Sequence, residues 1–287
     1  MNGIEKHTII QPVSFNLADY KTNEKGDIDS KKDAKKLLKD NVKRMTMLQS
    51  KLYAQDKHGI LVIFQAMDTA GKDGAIRHVM SGLNPQGTHV QSFKVPSAEE
   101  LDHDYLWRAA KNLPERGNIG IFNRSYYEEV LVVKVHNLLK YQKLPKKLIT
   151  ENIWEQRYQQ INNFEKYLTE NGFTILKFFL HISKEEQKNR LLARIDDPHK
   201  NWKFSEGDIK ERGNWENYQQ CYSEAIAATA TPNAPWHVIP SDHKWFARLL
   251  ISEVICQRLE SLNLEYPKLS PESLDGLEDC RKQLLNE

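Results

Sequence analysis

Residues 60–80 restrict the possible fold more than any other part of this sequence. The apolar run 60–64 is short, continuous and rich in β-branched residues, which is typical of a strand buried on both faces of a parallel sheet. It leads into a turn that contains Gly71, and Lys72 then begins an amphipathic helix. In this context backbone N–H groups and the helix N-terminus hold phosphate, while the lysine reaches the bridging oxygens. The segment therefore predicts a phosphate-binding loop in an α/β protein.

The loop departs twice from the GxxxxGK[ST] pattern. Ala66 stands in place of the first glycine, and Asp73 replaces the hydroxyl residue that binds magnesium. A second carboxylate, Asp68, lies inside the loop, where it is costly beside a polyanion unless it holds a cation or orients an acceptor. The alternative is that Asp68 only caps the following turn. The predicted phosphate-binding residues of the loop are Ala70, Gly71, Lys72, Asp73 and Gly74.

The rest of the chain alternates between strand and helix patterns, which predicts βαβ crossovers and a parallel sheet of about five strands flanked by helices. Further strands are predicted at 89–94, 118–123, 173–182 and 236–240. Helices are predicted at 30–55, 72–82, 98–112, 124–138, 146–170, 184–195, 208–228 and 243–262. The 287 residues then divide into an extended N-terminal arm (1–28), one domain (29–265) and a C-terminal tail (266–287) that ends in a short surface helix.

A second group of polar residues follows the predicted strand 118–123. Polar groups at the carboxyl end of a parallel strand face the crevice where open α/β sheets bind ligands. Arg124 is therefore a candidate clamp on a transferring phosphoryl group, although pairing with Glu128 four residues later is the structural alternative. Asn123 stands where nucleotide kinases often carry an acid. The predicted nucleotide-binding residues are Arg108, Asn123, Arg124, Tyr127 and Glu128.

Residues 184–215 predict a helical lid. Arg190 and Arg194 lie four residues apart on one helix face, and Lys200 and Lys203 follow in a polar loop. Basic residues on such an element can close over phosphates and exclude water. The alternative is an ordinary solvated surface, because nearby acids almost balance these bases.

Charge and composition exclude several classes of function. The chain has 41 Lys and Arg against 39 Asp and Glu, so its net charge of +2 argues against wrapped nucleic acid. The small net charge hides opposed regions: 31–51 holds eight bases and two acids, 134–147 holds five lysines and no acid, and 252–287 holds eight acids and four bases. Whether the two basic runs line a binding track stays open.

Membrane and metalloenzyme classes are also disfavoured. No window approaches 18 uninterrupted apolar residues, so we expect no membrane association. The three cysteines form no CxxC pair and the histidines show no metal-binding spacing, which argues against zinc and favours a reducing, cytoplasmic location.

Five motifs in the same order resemble those of the polyphosphate kinase 2 family, over residues 30–265. They are AMDTAGKDG, FKVPSAEELDHDYLWR, IGIFNRSYYEEVLVVKVH, KFFLHISKEEQKNRLLARIDDPHKNWKFS and APWHVIPSDHKWFARL. The asparagine in FNRSYYE is similar to that of the class III subgroup, whose members phosphorylate AMP and ADP. The resemblance implies a thymidylate-kinase-like P-loop fold, a basic channel for inorganic polyphosphate, dependence on magnesium (with manganese as a substitute), and a homo-oligomer, either dimer or tetramer.

The resemblance also implies residue roles. Asp68 would act with magnesium and the acceptor phosphate, Lys72 on the transferring group, and Arg124 as the arginine of the second motif. Polyphosphate would be held by Arg190, Arg194, Lys200 and Lys203. We expect in-line transfer of the terminal phosphoryl group from polyphosphate to ADP or AMP, giving ATP or ADP. The alternatives are an ATP-dependent nucleoside or nucleotide kinase on the same fold and a non-catalytic polyanion-binding module.

Overall fold

One mixed sheet of six strands organises the part of the chain that the computed structural model describes, residues 4–28 and 30–287. The strands are β1 (Thr8–Ile9), β2 (Gly59–Ala66), β3 (Thr88–Ser92), β4 (Ile119–Asn123), β5 (Phe173–His181) and β6 (Trp236–Pro240). Their order is β1-β6-β5-β2-β4-β3. All pairings are parallel except that of β1 with β6, so the five predicted parallel strands are confirmed.

Helices flank this sheet. They are α1 (Lys31–Gln55), α2 (Lys72–Val79), α3 (Ala98–Asp102), α4 (Trp107–Ala110), α5 (Val132–Val135), α6 (Ile153–Glu170), α7 (Lys184–Ile195), α8 (Glu206–Gly213), α9 (Trp215–Thr229), α10 (Lys244–Glu260) and α11 (Pro271–Leu285). α10 packs against both α1 and α2, while α6 packs against α9 and β5. Every residue of β2 is buried, as expected of a strand with neighbours on both sides and both faces covered. Among the described residues, no helix is long and apolar enough to cross a lipid bilayer.

The N-terminal segment, which the sequence predicts to be an extended arm over 1–28, lies against the edge of the sheet. Within the described part of it, β1 pairs with β6 through Thr8 opposite His237 and Ile9 opposite Trp236. Ile9 and Leu17 are buried, because the segment covers the otherwise open edge of β6. Residues 1–3 of the predicted arm, and residue 29 at the predicted domain start, lie outside the described residues.

Several predicted helices are shorter than predicted or are divided. The predicted helix 98–112 splits at His103, whose extended backbone ends α3, and the Asp104 carboxylate then accepts from the N–H of Leu106 before α4 begins. The predicted helix 124–138 cannot start at Arg124, whose φ of 64° is left-handed, and only 3-10 turns and the short α5 form there. The predicted helix 208–228 divides into α8 and α9 at Asn214. The predicted helix 146–170 begins only at Ile153.

A buried polar cluster joins β5 to the helices on one side of it. The Lys177 ammonium donates to Glu165 Oε2 at 2.6 Å, to the Tyr127 hydroxyl at 2.9 Å and to the Thr229 carbonyl at 2.8 Å. Lys177 is fully buried, so these bonds replace the water that its charge would otherwise require. The cluster fixes the segment that follows β4 against α6 and α9.

Candidate active site

The phosphate loop lies between β2 and α2, at the carboxyl edge of the sheet. Gly71 has a φ of 107°, a conformation that disfavours any residue with a side chain, and it caps α2. Thr69, two residues earlier, also has a left-handed φ of 64°. The predicted strand, glycine turn and helix of the phosphate loop are therefore all present.

Helix α7 holds this loop from behind. The Gln187 amide donates to the carbonyl of Asp68 at 3.0 Å, and one Arg190 nitrogen donates to the carbonyls of Thr69 and Ala70 at 3.1 and 2.8 Å. Three successive carbonyl oxygens, which would otherwise repel an anion, are thereby engaged by donors. The loop is held in shape before any ligand binds.

Arg190 is consequently not the polyphosphate ligand that the sequence predicts. Its other terminal nitrogen donates to the carbonyls of Ser241 and Asp242 at 2.6 and 3.0 Å, and its Nε donates to Glu186 at 2.7 Å. Only 7% of the residue is exposed, and its five hydrogen bonds match the five N–H donors of a guanidinium. Arg190 lines the cleft but acts as a positioning residue for the loop.

Lys72 points back along the loop, where its ammonium donates to the carbonyl of Ala66 at 3.0 Å. Burial lowers the pKa of Lys72, and the nearby charge of Arg124 lowers it further, while Asp68, Glu128 and Asp73 oppose both effects. A partly desolvated ammonium beside another cation is stabilised by an incoming anion. This environment suits a lysine that binds phosphate.

Arg124 joins the second motif to the loop. Its left-handed backbone donates an N–H to the carbonyl of Phe64 at 3.0 Å, and its guanidinium lies 3.3 Å from Asp68 Oδ1 and 3.9 Å from Glu128 Oε2. Burial disfavours the charged form, but Glu128 and Asp68 outweigh it and raise the pKa of Arg124. Burial also raises the pKa of Glu128, against the attraction of Arg124 and Lys72. The predicted Arg124–Glu128 pair and the contact with the loop therefore coexist.

The two unusual residues of the motifs contact each other. The Asn123 amide donates to Asp73 Oδ1 at 2.8 Å. An acid at position 123 would place two carboxylates in contact, whereas the amide satisfies the carboxylate that replaces the usual hydroxyl. The two departures from the common kinase pattern thus compensate each other.

A cleft of about 940 Å³ opens above the loop and is strongly basic. Three carboxylates line it: Asp68, Asp73 and Asp208. Ten basic side chains line it: Lys72, Arg77, Lys94, Arg124, Arg190, Arg194, Lys200, Lys203, Lys244 and Arg248. Such an excess of positive charge in a concave site favours a ligand with several negative charges.

The bases of the cleft repel one another. Burial lowers the pKa of Lys244, and Arg190, Arg248 and Lys200 lower it further against the attraction of Glu186. Burial likewise lowers the pKa of Arg248, with added repulsion from Arg77 and Arg190. This unfavourable crowding would be relieved by a bound polyanion.

The lid region reaches the cleft through Arg194, Lys200 and Lys203. Arg194 donates to Asp208 Oδ2 at 2.8 Å and to the carbonyl of Lys203 at 3.1 Å. Burial raises the pKa of Asp208, and the charge of Asp68 adds to the effect although Arg194 opposes it. Asp208 and Arg194 therefore form an ion pair that lines the cleft.

Two predicted nucleotide-binding residues lie elsewhere. Tyr127 has no exposed surface, and its hydroxyl is bonded to Glu165 and Thr229, so it belongs to the core. Arg108 packs over Phe93, donates to the carbonyl of Lys94 at 3.0 Å, and lines a separate pocket of about 520 Å³. The structure gives both residues structural contacts instead of a place in the basic cleft. Glu128 lies behind Arg124 and positions it.

Five charged residues of the cleft were not assigned from the sequence: Arg77, Lys94, Asp208, Lys244 and Arg248. Lys94 and Lys244 follow the ends of β3 and β6, so the rule that ligands bind at the carboxyl edge would have identified them. Arg77 and Arg248 lie inside helices, where sequence spacing gives no sign that they share a cleft.

The carboxylates of the cleft could supply part of the ligand shell of a magnesium ion, but not all of it. Among the described residues, no group of three or more His, Cys, Asp or Glu side chains forms a ready metal site. Magnesium commonly takes only one or two protein carboxylates and completes its shell with water and substrate phosphates. Asp68 offers such a carboxylate beside the phosphate loop, and the Thr69 hydroxyl next to it is buried without a hydrogen-bond partner.

Comparisons with known proteins agree on one family. Residues 28–267 match the family model described as polyphosphate kinase 2. The chain is 51% identical over 259 residues to an ADP-polyphosphate phosphotransferase of Rhodopseudomonas palustris, covering 90% of each chain. It is 48% identical over 226 residues to an AMP/ADP-polyphosphate phosphotransferase of Meiothermus ruber, covering 79% of this chain and 81% of the relative.

A solved structure supports the same relationship. The crystal structure of polyphosphate kinase 2 from Arthrobacter aurescens superposes with a TM-score of 0.87 and 40% sequence identity, and 95% of each chain is covered. At this similarity the two chains share one fold over nearly their whole length.

Proposed function

This chain belongs to the polyphosphate kinase 2 family, and on that premise we propose that it transfers the terminal phosphoryl group of inorganic polyphosphate to ADP and AMP, giving ATP and ADP. The observation that carries the proposal is the cleft above the phosphate loop, which is lined by ten basic side chains and only three carboxylates. A nucleotide donor alone would need fewer cations than a linear chain of phosphates.

The reaction asks the protein for positioning and for neutralisation of charge. An acceptor phosphate oxygen attacks the terminal phosphorus in line, the P–O bond to the rest of the chain breaks, and the shortened polyphosphate leaves with the bonding electrons. The acceptor is already an anion near neutral pH, so no general base is required. Lys72 and Arg124 would stabilise the negative charge on the transferring group, once phosphate oxygens replace the Ala66 carbonyl and the Asp68 carboxylate as their acceptors.

Magnesium fits this proposal, with manganese as a substitute. Asp68 would hold it, together with phosphate oxygens of the substrates, and Arg124 would then exchange Asp68 for phosphate. When bound, the ion would neutralise charge on the phosphates and align them. Lys200, Lys203 and Arg194 would close over the donor from the lid, with Asp208 released from Arg194.

The test is a donor and acceptor assay with purified protein. We expect ADP plus polyphosphate, with no other nucleoside triphosphate present, to give ATP, and AMP plus polyphosphate to give ADP. Transfer only from ATP would indicate a nucleoside or nucleotide kinase, and binding without turnover would indicate a polyanion-binding module. Guanine nucleotides in the same assay measure base preference.

We further propose a cytoplasmic location and a homo-oligomer, either dimer or tetramer. The three cysteines are free thiols in the structure, which suits a reducing compartment. Light scattering on the purified protein measures the oligomeric state, and a monomer at working concentration would contradict that part of the proposal.

A further inference from the structure

The first basic run of the sequence forms a lysine face on α1. Six exposed side chains lie within an arc of about 140° at 3.6 residues per turn. The acids of the run, Asp33 and Asp40, lie outside this arc and border one edge of it. The lysine face consists of Lys31, Lys32, Lys35, Lys36, Lys39 and Lys43.

The lysine face carries charge that the protein leaves uncompensated. Within the run, Arg44 pairs with Glu253 and Glu260, whereas none of the six lysines pairs with another described residue. Four pairs of these lysines lie four residues apart, a spacing at which like charges destabilise a helix. Lys31 and Lys32 also lie in the first turn, where the helix dipole disfavours cations. A bound polyanion would remove these costs.

The topology directs the lysine face towards the cleft. β2 begins soon after α1 ends, so α1 runs from the carboxyl edge of the sheet to its amino edge. α10 follows β6 and runs the same way, and the contact of Asn41 with Ser252 places the two helices side by side. The lysines occupy the first half of α1 and therefore lie towards the edge at which the cleft opens.

A basic surface connects the two regions. Thr46, which shares the lysine-bearing side of α1, donates to the carbonyl of Gly82 at 2.8 Å, just beyond the end of α2. α2 carries Arg77, which lines the cleft and adds to the positive field at Arg248. The lysine face therefore lies next to α2, on the side of the cleft that Arg77 and Arg248 form.

We propose that the lysine face is a second polyphosphate track, which binds the part of a long chain that projects from the cleft. This inference rests on the proposed function. From Lys31 to Lys43 the face extends about 18 Å at 1.5 Å per residue, so it can contact several successive phosphates. Lysine suits this task, because its ammonium is a point charge on a flexible stem and can pair with any phosphate of a uniform chain, wherever that chain lies along the helix. Such a tether raises the local concentration of long chains at the loop.

The experiment compares two variants that lose the same charge. The first replaces Lys32, Lys36, Lys39 and Lys43 with Gln. The control replaces four exposed lysines of the other basic run, Lys140, Lys143, Lys146 and Lys147, with Gln. We expect the first variant to raise the KM for long-chain polyphosphate roughly three- to tenfold, with unchanged kcat and unchanged KM for a short oligophosphate. The control should match the wild type.

Binding measured without nucleotide separates this inference from the proposed function. If wild-type protein does not turn over polyphosphate, the proposed function fails. Calorimetric titration of long-chain polyphosphate into the wild type and both variants still tests whether the lysine face binds it. Equal weakening in both variants, equal weakening for short and long chains, or unchanged affinity for polyphosphate would each overturn the inference. Loss of affinity for duplex RNA with unchanged affinity for polyphosphate would overturn it in favour of a nucleic-acid surface.

Discussion

Replacing Arg190 with Lys tests whether this residue holds the loop or binds the substrate. Arg190 donates to four carbonyls, two in the phosphate loop and two after β6. The single nitrogen of a lysine cannot reach both pairs, so at least two buried carbonyls lose a charged donor. At about 1.5–3 kcal/mol for each such hydrogen bond, the loss is about 3–6 kcal/mol.

The expected loss of stability can be converted to a melting temperature. A chain of 287 residues has an unfolding entropy of about 0.6 kcal/mol/K. We therefore expect Arg190→Lys to lower the Tm by about 5–10 °C in differential scanning calorimetry. The kcat should fall with every donor and acceptor, since the loop shape serves them all.

Arg194→Lys is the matched control. Arg194 bonds to Asp208 of α8, both side chains are partly exposed, and a lysine can keep that ion pair. We expect a Tm shift of less than about 2 °C, because partly exposed pairs contribute little stability. The reasoning is refuted if Arg190→Lys melts like the wild type and raises only the KM for polyphosphate, since that result describes a substrate ligand.

Three further predictions concern the loop carboxylates and the buried histidines. Asp68→Asn should lower kcat at least about 100-fold with an unchanged Tm, and near-normal turnover would contradict its assignment. Asn123→Asp should cost about 1–2 kcal/mol in urea unfolding at pH 8, because it replaces a solvent-exposed hydrogen bond to Asp73 with repulsion, and adding Asp73→Ser should restore stability. Burial lowers the pKa of His181 to about 4 and of His237 to about 3, so below pH 6.5 the unfolded chain takes up protons that the folded chain refuses. Stability should be full above pH 6.5 and lower by about 2 kcal/mol per histidine at pH 5, and equal urea midpoints at pH 8 and pH 5 would contradict this.

The parallel sheet and its loop were predictable because both depend on local signals. A buried strand has a continuous apolar run, and a phosphate loop needs its glycine and lysine at fixed offsets, so β2, Gly71 and Lys72 are identified by sequence alone. Arg124 was predictable for a similar reason, since it directly follows a buried strand. The antiparallel β1 was not, because two residues carry no periodicity.

The roles of individual polar side chains depend on distant partners. Arg190 and Arg194 lie four residues apart on one helix face, so their sequence positions do not distinguish their roles. Arg190 bonds to carbonyls more than 50 residues away in both directions along the chain, whereas Arg194 bonds to Asp208, 14 residues away. Tyr127 follows Arg124 closely but faces the core, where its hydroxyl bonds to Glu165 and Thr229. Sequence spacing contains none of this information.

The contact between Asn123 and Asp73 restricts how such an enzyme can evolve. The two positions lie 50 residues apart, but an acid at position 123 would face the Asp73 carboxylate. An acid at the end of β4 is therefore disfavoured while a carboxylate follows the loop lysine. Relatives with an acid at the end of β4 should carry a small or neutral residue after the loop lysine, so that substitutions at the two sites are coupled.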